Sequence, residues 1–314
     1  MISRNRPWYK LSKQELVLVV VTMFWGGTFL VIQTAMHYSG PLFFVGFRFG
    51  VAGLFALIVF RRQLFKITRY ELMAGMCIGL FLCLGYSLQT AGLQTIESSK
   101  SAFITALYVP IVPVLQWVIL RHRPPLMRWL GIILAFVGLV FITAPKGALD
   151  AGLAGLFSFG RGEWLTFAAA WVLALEIIFI SKFAGKVNTG CVTAVQLLSG
   201  SVFCFMGMPV MGEGIPEFNW WIVVFAVGMG LLSVSIQFAM NWAQRTVSAT
   251  RATIIYAGEP IWAGVVGRIA GERLPALAFV GAALILMGIV VSELRPSSWQ
   301  RKKSKDKVTE KVKE

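Results

Sequence analysis

Charged side chains are scarce in this sequence, at 14% of 314 residues, while hydrophobic residues make up 57%. A soluble chain carries about a quarter charged residues, so this one has too little polar surface to cover a water-soluble globule. The mean hydropathy is +0.74, and the apolar residues come in blocks of about twenty, the length that a helix needs to cross a bilayer. The composition indicates an integral membrane protein.

Groups suited to metal or nucleotide chemistry are also few. The aspartates (Asp150 and Asp306) and the histidines (His37 and His122) all lie outside the apolar blocks. No Gly-rich loop of the Walker type is present, which excludes ATP hydrolysis by this sequence. The four cysteines lie within apolar blocks and lack the spacing of zinc ligands. We therefore expect no cofactor, no metal and no enzymatic activity.

The positive charge of the sequence is spread in a pattern typical of membrane proteins. A net charge of +15 would suggest a nucleic-acid partner if it lay on one folded face. The Lys and Arg residues instead cluster in alternate connections between the apolar blocks and in the tail 294–314, as expected of cytoplasmic segments. We expect a plasma (inner) membrane protein with both termini in the cytoplasm, surrounded by a lipid bilayer, and no nucleic acid as a partner.

Ten apolar segments predict ten transmembrane helices. The Gly-rich stretch 145–163 divides them five and five. Their approximate limits are 15–36, 41–60, 72–93, 97–120, 127–144, 164–182, 190–210, 219–241, 247–268 and 275–293.

The two halves of the sequence resemble each other. A shift of 150 residues without a gap superposes Pro110 on Pro260, and it also matches Gln94 with Gln244 and Gly138 with Gly288. Because each half has an odd number of helices, the second half enters the membrane upside down relative to the first. The predicted fold is all-α: ten transmembrane helices as two inverted five-helix repeats. Inverted repeats are typical of secondary transporters, which bind substrate near the midplane between the halves.

Three tracts resemble a known family. GEPIWAGVVGRIAGERLPALAFVGAALILMGIVV (258–291) resembles the end of an EamA-type domain, and FWGGTF (24–29) and PLFFVGFRFGVAGL (41–54) resemble its start. Two features depart from the pattern: RHR at 121–123 where the second half has GER, and Arg268. The resemblance implies the drug/metabolite transporter superfamily, with EamA-like repeats at 15–144 and 164–293 and a basic cytoplasmic tail at 294–314.

Two acidic residues within predicted helices are candidates for the transport chemistry, because a charge in the bilayer is costly. Glu176 lies in the sixth helix, where it either faces a water-filled cavity, carries a proton or bonds a neighbouring helix. Glu259 precedes Pro260, and proline removes a backbone donor, so the ninth helix is expected to kink or open there. Pro110 has the same effect on the fourth helix. Protons are therefore a candidate coupling ion.

Arg48 lies about 10 Å into the second helix, at 1.5 Å per residue. It could pair with Glu97 near the outer end of the fourth helix, extend to the headgroups, or bind a substrate carboxylate. We favour a structural or ion-pair role for Arg48 and Glu97, and a structural one for Pro110 and Pro260.

Uncharged polar residues recur at helical spacing and complete a candidate site. They would line a substrate cavity or form hydrogen bonds between helices. The full predicted substrate-binding set is Trp25, Tyr86, Gln89, Glu176, Gln237, Asn241, Tyr256 and Glu259.

Several functions remain open at this stage. The leading prediction is a secondary active transporter that moves a small organic metabolite, such as an amino acid or related compound, by alternating access and as an exporter. The alternative is an uptake permease or exchanger for a nucleotide-derived or amino-acid-like metabolite. A membrane enzyme and a channel are distant alternatives from other classes.

Overall fold

The structure, a computed structural model, describes residues 12–120, 126–143 and 159–293, and every regular element within them is a helix. In chain order the helices are α1 (Lys13–Ala35), α2 (Pro41–Leu64), α3 (Arg69–Gly92), α4 (Ser98–Thr105), α5 (Tyr108–Leu120), α6 (Leu126–Thr143), α7 (Arg161–Phe183), α8 (Thr189–Met211), α9 (Trp220–Ala243), α10 (Ala249–Tyr256), α11 (Glu259–Ile269) and α12 (Ala276–Glu293).

Local sequence signals explain where several helices begin. Ser12 with Glu15, and Thr68 with Glu71, form capping boxes at the starts of α1 and α3, so each pair satisfies two otherwise free backbone N–H groups. Pro41 occupies the first turn of α2, where its missing N–H costs nothing.

Seven stretches of the described chain are long and apolar enough to cross a membrane, and α4 with α5 counts as one of them over Ser98–Val118. Two shorter apolar stretches, Trp129–Ile142 and Ala276–Val291, lie in α6 and α12. The segment predicted at 247–268 is divided between α10 and α11, so neither piece alone reaches a membrane-spanning length. The chain is therefore a multi-pass, all-helical membrane protein.

Two of the predicted membrane helices are interrupted, each just before a proline. α4 ends at Thr105 and α5 begins at Tyr108, while α10 ends at Tyr256 and α11 begins at Glu259. Pro110 and Pro260 have no N–H to give to the carbonyl one turn back, so the helix cannot continue regularly through that turn. Each proline lies in the first turn of the second piece.

Contacts between helix ends define two opposite faces of the bundle. On the first, which we call the Glu15 face, Glu15 at the start of α1 pairs with Arg251 of α10, and Glu71 accepts a hydrogen bond of 2.8 Å from the N–H of Asn188 before α8. On the second, which we call the Glu272 face, Glu272 binds the start of α4. Lys100 of α4 pairs with Glu163 of α7 at 2.6 Å on the same face.

The helices of the two halves interleave and enclose a common core. α6 packs along α12, α8 packs against α2 and α3, and α1 packs against α11 and α9. Glycines allow the closest approaches. A Cβ at Gly75 of α3 would lie 3.3 Å from the backbone nitrogen of Gln196 in α8, and one at Gly138 of α6 would lie 2.6 Å from the carbonyl oxygen of Gly281 in α12. The result is a tightly packed bundle around the interrupted helices.

Several predicted features lie outside the described residues: the RHR tract at 121–123, most of the connection 145–163 and the basic tail 294–314.

Candidate functional site

A small cavity lies where the interrupted helices meet the centre of the bundle. It encloses about 20 Å³, which is room for about one water molecule. Its polar lining is almost without exposure to solvent: Thr105 is 1% exposed, Glu176 1%, Gln89 4% and Glu259 4%. The cavity is lined by Trp25, Thr28, Phe29, Tyr86, Gln89, Thr105, Tyr108, Leu173, Glu176, Ile177, Met240 and Glu259.

A second cavity of about 10 Å³ adjoins the first, and the two share Trp25, Thr28 and Tyr86. Arg48 and Phe49 line it from α2, and a series of α9 residues completes it: Met229, Leu232, Ser233, Ile236 and Gln237. The carboxyl groups of Glu176 and Glu259 therefore line one cavity, and the Arg48 side chain lines its neighbour.

Glu176 is fixed by a chain of side-chain hydrogen bonds that joins α7, α9 and α8. Gln237 donates to its Oε1 at 3.1 Å, and Gln196 donates to Gln237 at 2.8 Å. Asn241 donates to Gln196 at 3.0 Å and to the hydroxyl of Thr193 at 3.2 Å. Buried amides form hydrogen bonds readily in a membrane interior, and this series of hydrogen bonds holds the Glu176 carboxyl at the cavity wall. It engages only Oε1 of Glu176 and leaves Oε2 outside the series.

Glu259 lies at the start of α11 and contacts the other interrupted helix. Its Oε2 accepts a hydrogen bond of 3.0 Å from the hydroxyl of Tyr108, the first residue of α5. A carboxylate in the first turn of a helix interacts favourably with the free N–H groups and partial positive charge there. Glu259 thus connects the two interruptions: it is itself the first residue of α11, and its side chain binds Tyr108 at the start of α5.

Arg48 does not adopt either structural arrangement expected from the sequence. Glu97 is exposed at the N-cap of α4, and within the described chain it forms no ion pair with Arg48. Arg48 does not extend to the headgroups either, because its side chain turns inward and is only 2% exposed. Its guanidinium carbon lies 4.6 Å from the ring centre of Phe49 and 5.0 Å from that of Tyr86.

Two predicted lining residues pack behind the cavity wall instead of lining either cavity. Tyr256 makes an edge-on contact with Trp25, with ring centres 5.1 Å apart, and accepts a hydrogen bond of 3.4 Å from Gln244. Asn241 is committed to α8 through the hydrogen bonds above. The other six predicted residues, Trp25, Tyr86, Gln89, Glu176, Gln237 and Glu259, line one cavity or the other.

Sequence reasoning missed Thr105 and Tyr108, which flank the interruption between α4 and α5. Gln89 donates a hydrogen bond of 3.2 Å to Thr105, so this pair links α3 to the interruption. A signal was present: both residues lie within the five positions before Pro110, where an opened helix exposes its ends. No group of three or more His, Cys, Asp or Glu that could hold a metal occurs among the described residues.

Comparisons with known proteins agree on one family. The model of the EamA-like transporter family matches residues 12–144 and again 160–294. An uncharacterized transporter of Archaeoglobus fulgidus is 26% identical over 90% of this chain and 86% of its own length. The uncharacterized transporter YoaV of Bacillus subtilis is 25% identical over 90% of this chain and 97% of its own. A chloroplastic WAT1-related protein of Arabidopsis thaliana is 24% identical over 87% of this chain and 67% of its own.

One solved crystal structure has a similar fold. It superposes with a TM-score of 0.64 and covers 91% of this chain and 99% of its own. At 16% sequence identity the likeness concerns the fold alone. With the two matches to the family model, which together span most of the sequence, the chain belongs to the EamA-like transporter family of the drug/metabolite transporter superfamily.

Proposed function

We propose that this protein is a secondary active transporter that moves a small organic metabolite across the plasma (inner) membrane by alternating access. The observation that carries the proposal is the cavity among buried residues at two interrupted helices, with the carboxyl groups of Glu176 and Glu259 in its wall. Transporters place substrate and coupling ions at such interruptions, because free helix ends there supply polar groups within the membrane.

The proposed architecture is ten membrane helices in two inverted five-helix repeats, at 15–144 and 164–293. The lengths of successive helices support it: 23, 24, 24, 8, 13 and 18 residues for α1 to α6, and 23, 23, 24, 8, 11 and 18 for α7 to α12. The face contacts support the inversion, since α1 begins at the Glu15 face and α7 begins beside Lys100 at the Glu272 face.

We place both termini and the Glu15 face in the cytoplasm, because the basic residues of the sequence cluster on that side. Two carboxyl groups in one cavity can receive an ammonium group or exchange protons, which favours an amino acid or related amine-bearing metabolite as substrate and protons as the coupling ion. Export is the direction that the family resemblance favours.

Counterflow in proteoliposomes tests the proposal. Vesicles are preloaded with an unlabelled amino acid, diluted into the labelled compound and followed for transient accumulation. A carrier gives accumulation that saturates with external concentration, since each cycle requires reorientation of one binding site. Protein-free vesicles and vesicles with the Glu176→Gln/Glu259→Gln protein are the controls. A non-saturating current through the reconstituted protein, without counterflow, would make it a channel.

A further inference from the structure

Arg48 is a buried cation for which the described part of the chain supplies no ion-pair partner. Its side chain is 2% exposed, and the described part of the chain gives its Nε no hydrogen-bond acceptor and its guanidinium no ion-pair partner. A buried charge is normally paired, because removing it from water is costly. The ring faces of Phe49 and Tyr86 hold the guanidinium in place, but they do not neutralise it.

The carboxyl groups of the site form their hydrogen bonds with other residues, and Glu176 acts on Arg48 only as a more distant charge. Glu176 accepts its hydrogen bond from Gln237, and Glu259 accepts from Tyr108. Neither is within ion-pair distance of Arg48 among the described residues. Arg48 instead lines the second cavity, which shares Trp25, Thr28 and Tyr86 with the cavity that these carboxyl groups line.

We propose that Arg48 is the receptor for a negatively charged group of the transported substrate, so that the substrate is a zwitterion with its carboxylate at Arg48 and its ammonium at the Glu176 and Glu259 end. A guanidinium matches a carboxylate with two parallel hydrogen bonds, which a neutral amide cannot reproduce. The inference rests on the proposed carrier function, and it adds the charge pattern that selects the substrate. Trp25, Thr28 and Tyr86 line both cavities, so the middle of such a substrate would lie beside them once the site, which in this structure has room for about one water molecule, has widened.

The thermal stability of the full-length protein without ligand separates this role from a structural one. Replacing a buried arginine that has no ion-pair partner by methionine, of similar length, removes a charge that Glu176 offsets only from a distance. The Arg48→Met protein should therefore unfold at a temperature about 2 °C or more above wild type. The exposed Arg268, which lies on α11 away from both cavities, provides the control variant Arg268→Met, whose midpoint should stay near that of wild type. An Arg48→Met midpoint below wild type would overturn the proposal, because it would mean that Arg48 holds the bundle together.

Ligand binding provides the second measurement. The probes are the L-amino acids and their carboxamides, which keep the ammonium and side chain but lack the negative charge. Those amino acids that raise the unfolding temperature of wild type should bind at least about tenfold more tightly than their amides, and Arg48→Met should lose this preference. Equal binding of acid and amide to wild type, or a preference retained in Arg48→Met, would overturn the role of Arg48. If no amino acid binds, the proposed substrate class is wrong. The unfolding midpoints of wild type and Arg48→Met without ligand then still show whether Arg48 has a structural role.

Discussion

Glu176 and Glu259 reach the same cavity from helices in different environments. Glu176 lies in the middle of an uninterrupted helix and depends on the amide of Gln237 for its position. Glu259 lies at a helix start, where the backbone itself favours a carboxylate, and it binds Tyr108 of the other half. Glu176 is therefore the better candidate for binding and releasing a proton. Glu259 is the better candidate for a contact that forms or breaks when the two halves move relative to each other.

The Glu176→Gln substitution tests the proton role. Glutamine keeps the shape of the side chain and can still bond Gln237, but it cannot release a proton, so transport driven by a pH gradient should fall to background. Counterflow, which needs no gradient, should be retained at a higher substrate concentration, because Glu259 still offers a carboxyl group to the substrate. Both are measured in proteoliposomes, with Glu217→Gln in an exposed loop as the control. A pH dependence that is unchanged in Glu176→Gln would remove this residue from the coupling mechanism.

At the scale of helices, the interruptions follow from the sequence but the partners of the lining residues do not. Pro110 and Pro260 predict where the chain opens, because the missing N–H is a local property. The Tyr108–Glu259 hydrogen bond joins residues 151 positions apart and depends on the rotation of each helix about its axis. Successive side chains on a helix point about 100° apart, so a small rotation of the helix decides whether a residue faces the cavity. The sequence does not give this rotation, and Asn241 and Tyr256, which it predicts in the cavity, pack behind its wall.

The predicted Arg48–Glu97 pair fails for a related reason. Depth along a helix can be counted from the sequence, whereas the direction of a long side chain cannot. Arg48 turns inward to two aromatic rings, while Glu97 stays at the exposed end of α4.

The contact between α1 and α11 provides a test with a neighbouring control. A Cβ on Gly26 would lie 2.7 Å from the backbone nitrogen of Ala263, so Gly26→Ala must push α11 away. We expect a loss of about 1–3 kcal/mol in unfolding free energy and reduced transport, since α11 carries Glu259. A Cβ on Gly27 would meet nothing within 4 Å, so Gly27→Ala should be neutral or slightly stabilising. Equal effects of the two substitutions on the unfolding temperature would contradict this packing.

The cap of α4 provides a second test at this scale. Glu272 accepts hydrogen bonds from the backbone N–H groups of Ser98 and Ser99, at 2.9 and 3.1 Å, and from both of their hydroxyls. Glu272→Ala leaves these donors without an acceptor and should cost about 1–3 kcal/mol in unfolding free energy. Glu97, the N-cap residue itself, makes no side-chain cap hydrogen bond, so Glu97→Ala is the control. A Glu272→Ala midpoint equal to that of Glu97→Ala would mean that the cap adds nothing to stability.

At the scale of the whole molecule, the cavity lies among buried residues in the core, and each face of the bundle is held by contacts between the halves. Arg251 and Glu15 join α10 to α1 at the Glu15 face. Glu272 joins the turn after α11 to the start of α4 at the Glu272 face. In an alternating-access cycle each set of contacts must break in turn, because the substrate enters through one face and leaves through the other.

Transport by protein locked at one face tests this account most directly. In a variant without the four native cysteines, a reducible bifunctional thiol reagent joins Glu15→Cys to Arg251→Cys at the Glu15 face, or Ser99→Cys to Glu272→Cys at the Glu272 face; the reagent spans the distance that the long native side chains span. Each single substitution serves as a control. We predict that either crosslink alone reduces counterflow in proteoliposomes to background, and that a reductant restores it. Counterflow at the wild-type rate through protein with either face crosslinked would contradict alternating access.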